Sequence, residues 1–193
     1  MKVGFVVIGR MKSTRLPKKL TKKIFDREVI ALMLDRLKES TVVDSIILAT
    51  STNKEDDILV DIANRENVHC FRGHEDDVLH RISAAADEYN LDYIVHITAD
   101  CPLVDIDFLE LLISEYKSTN ADLITSFNLP HGFFFYGIKP NALKKVLELK
   151  DTTETEIWGT YFMDSGHFKC IELDTPTKLM RPNFRLTLDY PED

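Results

Sequence analysis

Short apolar runs alternate with amphipathic stretches over the first two thirds of the 193-residue chain, and this alternation restricts the fold more than any other feature. Val3 to Ile8 is a continuous β-branched and apolar run, as expected of a strand covered on both faces. Val29, Leu32, Met33 and Leu37 recur at helical spacing and predict a helix to about Ser40. Ser45 to Thr50 reads as a second buried strand, Asp56 to Arg65 as a helix, Val68 to Phe71 as a short strand and Asp77 to Tyr89 as an alanine-rich helix. Tyr93 to Thr98 is a fourth strand, Asp107 to Tyr116 a helix and Asp122 to Ser126 a fifth strand. Strand and helix alternating at this pitch predict an α/β fold, a mostly parallel sheet with helices on both faces.

The rhythm changes after residue 127. Asn128 to Gly132 reads as a turn and Phe133 to Ile138 as a strand. Asn141 to Leu149 and Glu154 to Met163 read as helices, with Phe168 to Leu173 and Arg185 to Leu188 as late strands. No internal repeat or linker interrupts the chain, so residues 1–193 are expected to form one domain.

Charge is distributed unevenly. Met1 to Phe25 holds eight basic residues and no acid, leaving 16 basic against 32 acidic side chains on the other 168 residues. A basic loop on an acidic body is a local anion site. The net charge of −8 argues against a general nucleic-acid binder. No apolar run approaches the ~20 residues that span a bilayer. The Val3–Ile8 run is too short for a secretory signal, and its basic flank lies on the wrong side. Cys70, Cys101 and Cys170 are odd in number and lack metal-ligand spacing, which predicts reduced thiols in a cytoplasmic protein.

Open parallel sheets bind their ligands at the carboxyl ends of the strands. The loop after the first strand, Gly9 to Lys19, has neither a Walker A sequence nor a dinucleotide fingerprint. Its arginines and lysines are instead suited to clamp a triphosphate directly, Arg through a planar fork and Lys as a mobile point charge. Asp100 follows the fourth strand. A carboxylate beside a phosphate clamp points to magnesium, which prefers one or two carboxylates plus phosphate oxygens. Asp189, after another apparent strand, is the expected second carboxylate.

Arg10-x-x-Ser13-x-Arg15-Leu16-Pro17-x-Lys19 resembles the opening signature of the cytidylyltransferases that make CMP-activated sugar acids. The resemblance is closer to the spore coat polysaccharide biosynthesis protein F-like branch. It continues through Ala49 to Asn53, Phe71-Arg72-Gly73 with Glu75 to Leu79, Asp100 to Leu103, and Thr187 to Asp189 before Pro191-Glu192-Asp193. It implies a three-layer α/β/α nucleotidyltransferase with a small lobe for sugar binding and dimer contacts. It implies that Arg10, Ser13, Arg15 and Lys19 hold the CTP phosphates, with Arg10, Arg15, Lys19 and Asp100 as catalytic residues. Thr50, Ser51, Thr52, Arg72 and Asp77 would help to hold cytosine and ribose, and Asp100 and Asp189 would bind magnesium. Members of the branch continue through a helix after Pro191-Glu192-Asp193, so the resemblance also implies a chain trimmed of that helix. Where the branch carries an acidic strand, this chain reads Phe134-Phe135-Tyr136.

The implied reaction is transfer of CMP from CTP to an acidic sugar, for surface polysaccharide or glycoconjugate synthesis, without a covalent enzyme intermediate. His74, His80 and His96 are candidate bases only by residue type. The rival readings are a sugar-1-phosphate nucleotidyltransferase using another triphosphate, a non-catalytic nucleotide-binding homologue and, against the missing glycine fingerprint, a redox enzyme. Four consecutive aromatics in one strand, Phe133 to Tyr136, would place two rings on each face. An exposed pair of rings predicts a homodimer, with this strand or the helices after it at the contact.

Overall fold

The computed structural model describes residues 1–193. β1 (Val3–Ile8) leads through the basic loop into a hairpin, β2 (Lys23–Ile24) and β3 (Arg27–Glu28), and then α1 (Val29–Lys38). β4 (Ser45–Ser51), α2 (Asp57–Arg65), β5 (His69–Gly73), α3 (Val78–Glu88), β6 (Tyr93–Thr98) and α4 (Phe108–Thr119) follow. β7 (Leu123–Thr125), β8 (Tyr136–Ile138), α5 (Pro140–Leu149), α6 (Gly159–Met163) and β9 (Cys170–Glu172) complete the order.

Seven strands form one sheet in the order β5-β4-β1-β6-β8-β7-β9. Every pairing is parallel except those of β8, which runs against both β6 and β7. β1 is buried throughout, which is why its sequence is an unbroken apolar run. Its alternate side chains enter different cores. Val3, Phe5 and Val7 pack with α1, α2 and α4 through residues such as Met33, Leu59 and Leu109. Val6 and Ile8 pack with α3, α5 and α6 through Leu79, Leu143 and Phe162. These two cores on one sheet are the three layers of the expected α/β/α fold. No helix is long and apolar enough to cross a membrane.

The later elements correct three expectations. Phe133 to Phe135 are not strand residues, and β8 begins only at Tyr136. Gly132 turns the chain at a φ of +89°, a conformation that suits glycine, and the aromatics after it pack irregularly. Phe135 meets Phe5 edge-on at 6.1 Å, and Phe134 packs against Phe127 and Tyr136. Phe134 and Phe135 are buried and Phe133 and Tyr136 half-buried, so the exposed pair behind the homodimer expectation is absent. Of the helix read over Glu154–Met163, only Gly159–Met163 forms. Arg185 to Leu188 is no strand: its ladder contact is a single bridge between Arg185 and His131.

Candidate active site

Ile8 pairs with Thr98, so the loops leaving β1 and β6 emerge side by side. Gly9 permits their close approach, because a Cβ there would lie 2.9 Å from that of Ala99. Leu16 and Leu20 are buried and anchor the far end of the basic loop. Between the loops lies a cleft of about 290 Å³, lined among others by Arg10, Lys12, Ser13, Arg15, Lys19 and Asp100.

Arg10, Lys12, Arg15 and Lys19 are paired with acids from four other segments, at Glu75 and Asp76, Asp100, Glu156 and Asp189, the Glu156 carboxylate lying 3.9 Å from Arg10 Nη2. Arg10 Nη1 donates to Asp76 Oδ1 and to the Glu75 carbonyl, both at 2.9 Å. Lys12 Nζ reaches Glu75 Oε1 at 3.1 Å. Arg15 Nη2 donates to Asp189 Oδ1 at 2.7 Å. Lys19 Nζ bridges Asp100 Oδ2 at 2.5 Å and Asp189 Oδ1 at 3.0 Å. Burial works against the Lys19 charge, but Asp100 and Asp189 outweigh it and raise its pKa above the ordinary lysine value. Burial likewise opposes ionisation of Asp189, yet Lys19, Thr187 and Arg15 hold its pKa below the usual carboxylate value.

Asp100 and Asp189 therefore converge on a single cation, as a shared metal requires. The Leu188 amide donates to the Asp100 carbonyl at 2.8 Å and ties the two segments together. Thr98 Oγ1 donates to Asp100 Oδ1 at 2.6 Å, and Thr187 Oγ1 to Asp189 Oδ2 at 2.8 Å. Two carboxylates beside a cluster of arginines and lysines fit a hard divalent ion, which prefers one or two carboxylates plus phosphate oxygens and water.

The second group of expected nucleotide contacts does not line the cleft. Thr50 is buried, and Thr52 is exposed. Ser51 Oγ donates to Asp56 Oδ2 at 2.5 Å. Arg72 donates to the carbonyls of Ser51 and Asn53 and pairs with Asp57. Asp77 caps α3 through the His80 amide and is held by Lys150 and Thr155. These residues build the loops behind the cleft.

Sequence reasoning missed three residues. Asp56, almost fully buried, accepts from the Met11 amide at 2.7 Å as well as from Ser51, so it locks the basic loop to the end of β4. Arg81 lines the cleft from α3, and its Nη1 donates to the carbonyls of His74 and Glu75. Its only sequence signal is a charge one turn after Val78 on the buried side of α3. Trp158, the chain's one tryptophan, lines this cleft and the cavity beside it.

Of the candidate histidines only His96 lines the cleft; His74 and His80 are exposed outside it. His96 Nδ1 lies 3.0 Å from the Val6 carbonyl, which can only accept, so Nδ1 carries the hydrogen and Nε2 is the ring's acceptor. Burial pushes its pKa down to about 4, so the ring is neutral at pH 7. A folded-state pKa below the unfolded value means that the unfolded chain binds the extra proton first as pH falls. This stability is complete above the ordinary histidine value and is lost between about pH 6.5 and pH 4, amounting to about 3 kcal/mol. Urea unfolding at pH 7 and pH 4 should show that much less pH dependence in His96→Asn, whose amide can still donate to Val6. Equal dependence in both proteins would refute the assignment.

A model of the cytidylyltransferase family matches residues 5–166. The chain belongs to the cytidylyltransferase family. An uncharacterised protein of Methanocaldococcus jannaschii is 34% identical over 195 residues, covering 100% of this chain and 80% of that one. The spore coat polysaccharide biosynthesis protein SpsF of Bacillus subtilis is 26% identical, covering 98% and 82%. The solved structure of a cytidylyltransferase from Leptospira borgpetersenii superposes with a TM-score of 0.90 at 31% identity, over 100% of this chain and 83% of that one. Two more distant structures share the fold. CMP:2-keto-3-deoxy-manno-octonic acid synthetase complexed with CTP has a TM-score of 0.75 at 13% identity, over 100% and 95%. Rv0371c of Mycobacterium tuberculosis in complex with manganese has 0.66 at 14%, over 91% and 89%. The family makes this chain a nucleotidyltransferase.

Proposed function

We propose that the chain transfers the cytidylyl group of CTP to a hydroxyl of a saccharide, releasing pyrophosphate. The observation that carries this reading is Lys19 between Asp100 and Asp189 at a cleft rich in arginine and lysine. The acceptor oxygen forms a bond to the α-phosphorus while the bond to the β-phosphate bridging oxygen breaks, and the hydroxyl proton passes to solvent. Arg10, Arg15 and Lys19 exchange their carboxylate partners for the phosphates and offset the charge of the departing pyrophosphate. Ser13 holds the loop by accepting from the Leu16 amide at 3.4 Å. Asp100 and Asp189 would hold magnesium, whose chemistry there is to neutralise charge on the α-phosphate. The manganese complex of a protein with this fold supports a divalent ion.

A saccharide acceptor and a role in surface polysaccharide synthesis are supported by the names of the Bacillus relative and of the synthetase complexed with CTP. The latter activates a sugar acid, as was expected from the sequence here.

With magnesium present, CTP at ~100 times its Kd should add about 2.7 kcal/mol of stability, roughly 5–10 °C in Tm, and more than ATP, GTP or UTP. A larger shift with another triphosphate would favour the sugar-1-phosphate reading. A CTP shift without pyrophosphate release from any saccharide would favour a non-catalytic homologue. Arg15→Ala should weaken CTP at least tenfold and leave cytidine unchanged, because it removes a phosphate fork. Equal weakening of both ligands would contradict the loop's assignment.

A further inference from the structure

Asp56 stands at the amino end of α2, where an acid ordinarily caps the helix, yet its side chain makes no capping bond there. It is only 1% exposed. Its oxygens accept instead from the Met11 amide at 2.7 Å, the Ser51 amide at 3.3 Å and Ser51 Oγ at 2.5 Å. A buried carboxylate is costly unless its oxygens are satisfied, and here three donors do so in place of a cation. The Gly9 amide donates to the Ala49 carbonyl at 3.2 Å. Arg10 therefore leaves the backbone between two ties to the end of β4, and these fix the point from which its side chain enters the cleft.

The head of the same side chain rests on a second buried charge. Arg10 Nη1 donates to the Glu75 carbonyl at 2.9 Å, and Arg81 Nη1 donates to that same carbonyl at 2.7 Å. The two arginines thus use both lone pairs of one oxygen. Arg81 is fully buried, and its Nε and Nη2 have no hydrogen-bond partner. Burial and the nearby Arg10 push its pKa down to about 10, against Asp56, Asp76 and Asp77, so it keeps its charge at pH 7. A neutral donor would hold the Glu75 carbonyl without a buried charge, so holding the loop alone does not account for an arginine here.

We propose that Asp56 and Arg81 are positioning residues for the triphosphate, holding Arg10 at its root and at its head. This inference rests on the cytidylyl-transfer reading. When Arg10 leaves the Asp76 carboxylate for a phosphate, the Glu75 carbonyl remains as its pivot. A side chain already ordered in this way loses little freedom on binding, which is what preorganisation contributes to affinity.

A double-mutant cycle with Arg10→Ala tests this. Binding of a non-hydrolysable CTP analogue with magnesium, and of cytidine, is followed by the fluorescence of Trp158, which lines the cleft. Asp56→Ala should weaken the analogue at least tenfold and cytidine less than twofold, and in the Arg10→Ala background its further effect should fall below twofold. Asp56→Asn keeps an oxygen for the Met11 amide and should recover most of the loss. Arg81→Lys keeps the charge on a shorter side chain and should weaken the analogue about fivefold, again only when Arg10 is present. Losses that persist in the Arg10→Ala background would overturn the proposal, since a merely structural role acts with or without Arg10. Equal weakening of cytidine, an Asp56→Asn variant as weak as Asp56→Ala, or unchanged binding in both single variants would do the same. Should Asp56→Ala fail to fold, the Arg81→Lys cycle decides alone. Hydrogen exchange at the Met11 amide without nucleotide should be at least tenfold faster in whichever Asp56 variant folds and binds more weakly, and an unchanged rate would refute the tie. Failure of the wild-type protein to bind the CTP analogue would sink the cytidylyl-transfer reading instead, while Met11 exchange would still decide whether Asp56 holds the root of the loop.

Discussion

Asp100→Asn is expected to lower kcat at least a thousandfold, about 4 kcal/mol of transition-state stabilisation, while the protein stays folded. The substitution is nearly isosteric and keeps an oxygen to accept from Thr98, so the local hydrogen bond at 2.6 Å survives. What it removes is half of the negative charge that faces Lys19 in the free protein. In the nucleotide complex that charge would hold the divalent ion on the α-phosphate, and a neutral amide is a far weaker ligand for a hard cation. The measurement is pyrophosphate release at saturating CTP and acceptor, with far-ultraviolet circular dichroism and Tm as controls for folding. Retention of more than a tenth of the wild-type rate would show that Asp100 does not act on the reacting phosphate.

The strands and the basic loop were legible in the sequence for one reason. β1 and β6 carry their residues between two helical layers, so β1 is a continuous apolar run and β6 is interrupted only by His96, with sharp ends at Ile8 and Thr98. The ligand cleft opens where those ends lie side by side, and the clustered cations of residues 10–19 stand there without any nearby acid in sequence. The acids that pair with them are supplied by distant segments, at Glu75, Asp76, Asp100, Glu156 and Asp189, which only the topology brings together.

Elsewhere tertiary packing overrode local pattern. The Phe133–Phe135 stretch has the composition of a strand, but its rings are held by Phe5 and Phe127 in an irregular segment, and composition cannot tell these cases apart. The family resemblance implies that Thr50 to Thr52 and Arg72 help to hold cytosine and ribose. In the free protein Ser51 is engaged by Asp56, and Arg72 by Asp57 and two carbonyls. Asp56 was invisible because an acid at the start of a helix is ordinary. Its buried bond to the Met11 amide depends on how the basic loop folds back over β4.

Lys19→Met should do two things at once: slow turnover by about a thousandfold and open a metal site that the wild-type protein keeps closed without nucleotide. In the free protein the Lys19 ammonium sits where the two carboxylates converge, 2.5 Å from Asp100 and 3.0 Å from Asp189. A divalent ion arriving alone must displace a tethered cation from between them and gains no phosphate ligands in return. On the proposed function, a triphosphate would draw Lys19 to its oxygens and free the carboxylates, so binding of metal and nucleotide would be coupled. Methionine has a similar length and no charge, which leaves the carboxylates with Arg15, at 2.7 Å from Asp189, as the nearest counter-charge. Removing one partner of a partly buried ion pair destabilises the fold, and a bound divalent ion should restore that loss. Manganese titrated without nucleotide and followed by electron paramagnetic resonance should therefore bind Lys19→Met at least tenfold more tightly than wild type. It should raise the Tm of the variant alone. Wild-type protein that binds manganese without nucleotide as tightly as the variant would show that Lys19 does not occupy the metal's place, and that metal and nucleotide bind independently.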